Sequence, residues 1–276
     1  MACRRVRPSG GDSFFAAPPS QRLPVDRESG KGRRRRRDGN RHLEGNGRTT
    51  PTAASSRTAA RVSWAAAALF LVLLAAVHVI KPELDPSWRF ISEYAIGEHG
   101  WIMVLAFLSL ALSCATLFIA IRPDTGTAGG KVGLAFLLAG AVGLTIAAIF
   151  TTDPITAGGD EITTRGVLHG AGNVIGTLGI PIAAALIARS LRRNQAWSSA
   201  RRALLWSAVL AWIGLLVFEV SFATMVPGRE LGPDVRIGSP NRFMIVTYAV
   251  WLMAVAWRAG QLNTRSSSGP SRYMRC

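Results

Sequence analysis

The residues with the widest chemical reach in this chain lie beside or inside apolar runs. Three of its four histidines, His78, His99 and His169, belong to this group. His169 and Asn173 are four residues apart, which puts them on one face of a helix. Asp153 closes the stretch Phe150-Thr151-Thr152-Asp153, Ser92 and Glu93 stand shortly before His99, and Glu219 sits within an apolar run. Imidazole and carboxylate groups can bind a small ligand or an ion and can move a proton. Two or three of them with a water could also hold a divalent metal and activate that water for hydrolysis. The alternative is structural: groups near helix ends reach water, and Glu219 pairs with His78 or with Arg236.

Six stretches must position these groups, and each is almost free of charge: Val62–Ile80, Trp101–Ile121, Val132–Phe150, Val167–Ala188, Ala203–Val226 and Phe243–Trp257. A helix rises about 1.5 Å per residue, so about 20 apolar residues cross a hydrocarbon core about 30 Å thick. The sixth run is short and extends to Arg242 and Arg258, whose side chains reach the interface. Inside lipid the backbone must satisfy itself, which leaves helices or closed barrels, and continuous rather than alternating apolar runs select helices. The expected fold is an all-α bundle of six transmembrane helices in the cytoplasmic membrane. At these depths His78 and Glu219 come to similar heights, near the ends of their helices opposite the basic loops. His169, Asn173, Asp153, Glu93 and His99 are near the same level. Polar groups in the bilayer are costly and usually face the bundle interior or a cavity, so this shared depth is the main functional signal.

Charge sets the orientation. Of the 32 Lys/Arg residues, 26 lie in segments 1–61, 122–131, 189–202 and 258–276, and 6 lie in the alternate connections. The positive-inside rule therefore places both termini in the cytosol. The loop with Arg189, Arg192, Arg193, Arg201 and Arg202 gives the same answer without the N-terminal segment. Although the chain carries 49% hydrophobic residues and a mean hydropathy of +0.25, its net charge is +16. Residues 1–61 carry much of that charge, including the run Arg33–Arg37, and read as a disordered cytoplasmic tail too poor in apolar surface to fold. Such a tail can meet anionic lipid headgroups; no specific nucleic acid is predicted. Residues 62–259 form the membrane domain, and 260–276 a short basic C-terminal tail. Cys3, Cys114 and Cys276 make no metal-ligand spacing and no disulfide framework. Walker A, GxSxG, HExxH and GxGxxG patterns are absent, so no cofactor is predicted.

The fourth run has its own grammar, His169-Gly170-Ala171-Gly172-Asn173-Val174-Ile175-Gly176-Thr177-Leu178-Gly179-Ile180-Pro181. Gly172 and Gly176 give a small-xxx-small face for close helix approach, with Gly133, Gly140 and Gly143 suggesting the third helix as partner. Pro181 has no N–H, frees the carbonyl of Thr177 and is expected to kink the helix. A broken helix whose carbonyls bind an ion is the transport alternative.

Several short motifs resemble a family of bacterial and archaeal membrane proteins, domain-of-unknown-function family 998. They are Ile91-Ser92-Glu93-Tyr94-Ala95-Ile96-Gly97 before Gly100-Trp101, Phe150-Thr151-Thr152-Asp153, Leu168-His169-Gly170, and Asn241-Arg242 ahead of a last span containing Trp251. The likeness covers about residues 62–262 and leaves the arginine-rich tail outside. It implies a six-helix integral membrane protein, supplies no reaction, and marks Ser92, Glu93, Asp153 and His169 as recurrent features. The leading expectation is a non-enzymatic membrane protein with an external polar pocket that binds a small ligand, a lipid headgroup or an ion. Its candidate lining is His78, Ser92, Glu93, His99, Asp153, His169, Asn173 and Glu219. One rival is an interfacial hydrolase with a divalent metal on Glu93, Asp153 and His169. Another is a structural or partner-binding subunit.

Overall fold

The computed structural model describes residues 53–226 and 231–267. Within them lie six long helices: α1 (Ala53–Ile80), α2 (Gly100–Ile121), α3 (Ala128–Ile149), α4 (Thr164–Leu191), α5 (Arg201–Met225) and α6 (Gly238–Ser267). All six are long and apolar enough to cross a membrane, and no strand occurs among the described residues. Two boundaries differ from those read off charge. Helix α1 starts at Ala53, so Arg57 and Arg61, assigned above to a disordered tail, are helical. Helix α6 runs on to Ser267, into the segment assigned to the C-terminal tail. In Ala53–Arg61 the alanines and the absence of glycine and proline make helix propagation cheap, whatever the charge. The arginine run 33–37, Cys3 and Cys276 lie outside the described residues.

Each helix stops where its backbone partners run out. Proline follows α1 at Pro82 and α2 at Pro123, and Thr127 and Thr163 cap the starts of α3 and α4 by accepting from Gly130 and Gly166 N–H. The helices form a closed ring in chain order, with α6 returning to pack on α1 and also reaching α2. The lipid-facing surface carries Val72, Val79, Val142, Val174 and Val220. Trp101 and Trp206 are exposed near the starts of α2 and α5, where indole rings favour the membrane–water interface.

Two crossings are held by close backbone approach. In the first, Ser63 of α1 and Ser113 of α2 exchange hydrogen bonds, each hydroxyl donating to the other's carbonyl at 2.9 Å. The second is the glycine face of α4 against α3. A Cβ at Gly143 would lie 2.5 Å from the Gly172 carbonyl oxygen and 2.7 Å from the Gly176 nitrogen. Pro181 sits inside a continuous α4, and Thr177 O accepts the Tyr248 hydroxyl of α6 at 2.8 Å. The carbonyl that proline orphans is thus occupied by a neighbouring side chain.

Gly143→Leu is expected to lower stability in detergent by about 1–3 kcal/mol through overpacking. Gly170→Ala, at a position where a Cβ meets nothing within 4 Å, should leave it unchanged or slightly raised. Thermal unfolding of the two purified variants provides the comparison.

Candidate functional site

The connection between α1 and α2 folds over the end of the bundle opposite the arginine-rich connection 189–202 and carries most of the polar chemistry. Its central element is the short turn Ile91–Ala95. Glu93, only 1% exposed, accepts three hydrogen bonds. Oε1 receives Arg89 Nη1 at 2.8 Å and the Ile155 amide at 3.0 Å, while Oε2 receives the Phe90 amide at 2.9 Å. The carboxylate therefore starts its own turn, forms an ion pair with Arg89, and ties the α1–α2 connection to the α3–α4 connection. Asn241, at the start of α6, accepts the Ile91 amide at 3.2 Å.

Arg242 lies next along α6 and is the hub of a second network. Its Nε donates to His78 Nε2 at 2.7 Å, Nη1 to the carbonyls of Arg89 (2.7 Å) and Gly238 (3.0 Å), and Nη2 to the Tyr94 hydroxyl at 3.3 Å. A guanidinium can only donate, so His78 Nε2 must be bare and its proton sits on Nδ1, which donates to Leu74 O at 2.6 Å. His78 is fixed as the neutral Nδ1–H tautomer. Tyr94 passes its own proton to Leu84 O at 3.0 Å, and burial pushes its phenol above the ordinary value, with Arg242 opposing. Lys81, buried at the end of α1, donates to the carbonyls of Tyr94 and Ile96. Gly238 is confined by the same cap: a Cβ there would lie 2.6 Å from the Arg89 and Pro86 carbonyl oxygens.

Direct ion pairing in this cap is uneven. Among the described residues Arg89–Glu93 is the ion pair, whereas Arg242 and Lys81 are met by a neutral imidazole, a phenol and carbonyl dipoles. Glu83 and Asp85, in the same connection, are both exposed, and Asp85 acts on Arg242. The Ser87 backbone and side chain hold Asp85 below the usual carboxylate range, with Arg236 and Arg242 adding to the effect.

The other predicted site residues are spread around this cap. Asp153 accepts Thr163 N–H and Oγ1–H, both at 2.8 Å, and so braces the start of α4. His169 is buried against α3, with Nδ1 aimed at the carbonyls of Ala147 and Phe150, both 2.9 Å away. Its Nε2 has no hydrogen-bond partner among the described residues, and the Phe107 ring lies edge-on with centroids 6.1 Å apart. His99 is exposed, at φ 60° just before α2, and Ser92 is half-buried in the turn. Asn173 and Glu219 are on exposed parts of α4 and α5. The pairings weighed for Glu219 do not form: His78 is taken by Arg242.

Hydrogen bonds thus join His78 to the turn that contains Ser92 and Glu93, and Glu93 to the connection that contains Asp153. They do not gather the full set. Among the described residues no three His, Cys, Asp or Glu side chains are grouped to hold a metal ion. Both Glu93 oxygens and both Asp153 oxygens already accept N–H or O–H donors. The residues that sequence reasoning passed over are Arg242, Lys81, Tyr94 and Asn241. Arg242 read as an interface anchor at a span boundary, Tyr94 and Asn241 stood only within the family motifs, and nothing marked Lys81.

The family model described as "Protein of unknown function (DUF998)" matches residues 64–258. No curated protein and no solved structure matches the chain.

Removing the Glu93 carboxylate leaves Arg89 without its anion and two buried amides without acceptors. Glu93→Ala is therefore expected to cost about 3 kcal/mol of stability, and Glu93→Gln less, because one oxygen still accepts. Denaturation of detergent-solubilised protein, followed by helical circular dichroism, measures both.

Proposed function

Because the chain belongs to the DUF998 family of membrane proteins of unknown function, membership supplies no reaction, and we propose on the geometry of the external cap that it is a non-enzymatic anion-binding protein of the cytoplasmic membrane. Its ligand is a small molecule or lipid headgroup bearing phosphate or carboxylate, taken from the extracytoplasmic side. The observation that carries this reading is the half-buried guanidinium of Arg242, which among the described residues is balanced by neutral acceptors rather than by a paired carboxylate. Four of the five guanidinium N–H groups are committed to His78, Arg89, Gly238 and Tyr94, which fixes the plane and leaves one on Nη2 for a ligand. Arg236 is exposed at the same end and adds a second positive charge. A partly desolvated cation with a fixed orientation attracts an anion more strongly than a solvated one.

The hydrolase alternative draws on a single feature. His169 has Nδ1 anchored on two carbonyls, which orients Nε2 as a base, yet no metal-ligand set is grouped there among the described residues.

Inorganic phosphate and short-chain phosphatidic acid, titrated onto the full chain in neutral detergent, test the proposal. Binding should weaken at least 10-fold in Arg242→Gln, weaken less in Arg242→Lys, and strengthen a few-fold in Asp85→Asn, which removes the competing carboxylate. Equal affinity in wild type and Arg242→Gln would refute it. No anion binding to the wild type, together with unaltered cellular phenotype in a His78, Asp153, His169 and Glu219 alanine variant, would favour a purely structural subunit.

A further inference from the structure

A second feature lies at the opposite end of the bundle. The cytoplasmic halves of α4 and α5 are separated by a groove of about 390 Å³. Ala185, Ala188 and Ala208 leave the space, and Trp212, Ile213 and Leu216 extend its apolar wall toward the bilayer centre. The lining of α5 runs from Leu205 to Leu216. At 1.5 Å per residue that is about 16 Å, the depth of one leaflet of a hydrocarbon core about 30 Å thick. Arg189 and Arg192 line this groove and also line an adjoining polar recess of about 330 Å³ shared with Arg193 and Arg201. All four arginines are exposed, none forms an ion pair among the described residues, and the connection 189–202 contains no acidic residue. Asp124, in the α2–α3 connection, is engaged by the Trp197 indole N–H at 3.1 Å.

We infer that this groove is a binding site for an anionic phospholipid of the cytoplasmic leaflet, with one acyl chain along the α4–α5 groove and the phosphate on the Arg189–Arg192–Arg193–Arg201 cluster. The choice of occupant follows from complementarity. The apolar slot has the length of an acyl chain, lies within the bilayer's own leaflet, and opens directly onto a cluster of positive charge at headgroup level. Basic recesses between transmembrane helices on the cytoplasmic side favour anionic lipids in this way. A guanidinium cluster also meets phosphate through paired N–H donors, which a zwitterionic headgroup neutralises in part with its own cation. A soluble phosphate compound would use the arginines but not the groove, so the two sources separate experimentally. The site is independent of the external cap, since it shares none of its residues.

Native mass spectrometry of the full chain released from detergent, with dioleoyl phosphatidylglycerol or dioleoyl phosphatidylcholine added, tests the inference. The wild type should retain phosphatidylglycerol at least 10-fold more tightly than phosphatidylcholine. Arg192→Gln combined with Arg193→Gln should remove most of that preference, and the double Lys variant should keep most of it, separating loss of charge from misfolding. Ala185→Phe, at an exposed groove position, should weaken phosphatidylglycerol several-fold without changing any charge. Equal retention of the two lipids, or an unchanged preference in the double Gln variant, would overturn the site. Full displacement by glycerol 3-phosphate with no effect of Ala185→Phe would also overturn it, showing a headgroup-only anion site.

Discussion

In hydrocarbon an amide or carbonyl without a partner costs several kcal/mol, and the whole architecture follows from meeting that demand. Six helices meet it along their lengths through their own ladders. Where the ladder is interrupted, a neighbour intervenes. Pro181 leaves Thr177 O without its usual donor, and Tyr248 from α6 supplies one. At the bilayer rim the chain between α1 and α2 is irregular, and there the task falls to long polar side chains. Glu93 takes the Phe90 and Ile155 amides, Asn241 takes Ile91, and Lys81 and Arg242 supply donors to the carbonyls of Tyr94, Ile96, Arg89 and Gly238.

That solution has an electrostatic consequence. Backbone amides in the cap are satisfied by the buried carboxylate of Glu93, and backbone carbonyls by Lys81 and Arg242, so these two cations are held by neutral acceptors at a partly desolvated rim. The plane of Arg242 is fixed by α1 through His78, by the cap through Arg89 and Tyr94, and by its own helix through Gly238. On the proposed reading, the residues that make the cap rigid are also those that receive the anion. The glycine contact of α3 with α4 and the serine clasp of α1 with α2 hold neighbouring helices of the ring close, so the cap rests on a fixed frame.

The spans were legible because a run of about 20 apolar residues admits few structures in lipid, and Gly172, Gly176 and Gly143 announced their crossing by size alone. The starts and ends were less so: Ala53–Arg61 has the charge of a tail but the propensity of a helix, and propensity prevailed. In the candidate site, Glu93 and His78 were visible as costly groups at one depth. Their partners were not, since Arg242 lies 164 residues from His78 and nothing local in the sequence relates them. Arg242 and Lys81 also sit where any transmembrane helix would carry an interface cation, and their burial became apparent only once the cap folded over them. Asn173 and Glu219 shared depth with the others but not direction, a distinction that depends on helix rotation about its axis.

Hydrogen–deuterium exchange across residues 86–97 tests most directly whether Arg242 both organises the external cap and receives an anion. The wild type should protect this segment, and added inorganic phosphate should protect it further. Arg242→Gln should lose both the basal protection and the response, with α2 exchanging as before. Identical exchange in the two proteins, with and without phosphate, would contradict the account.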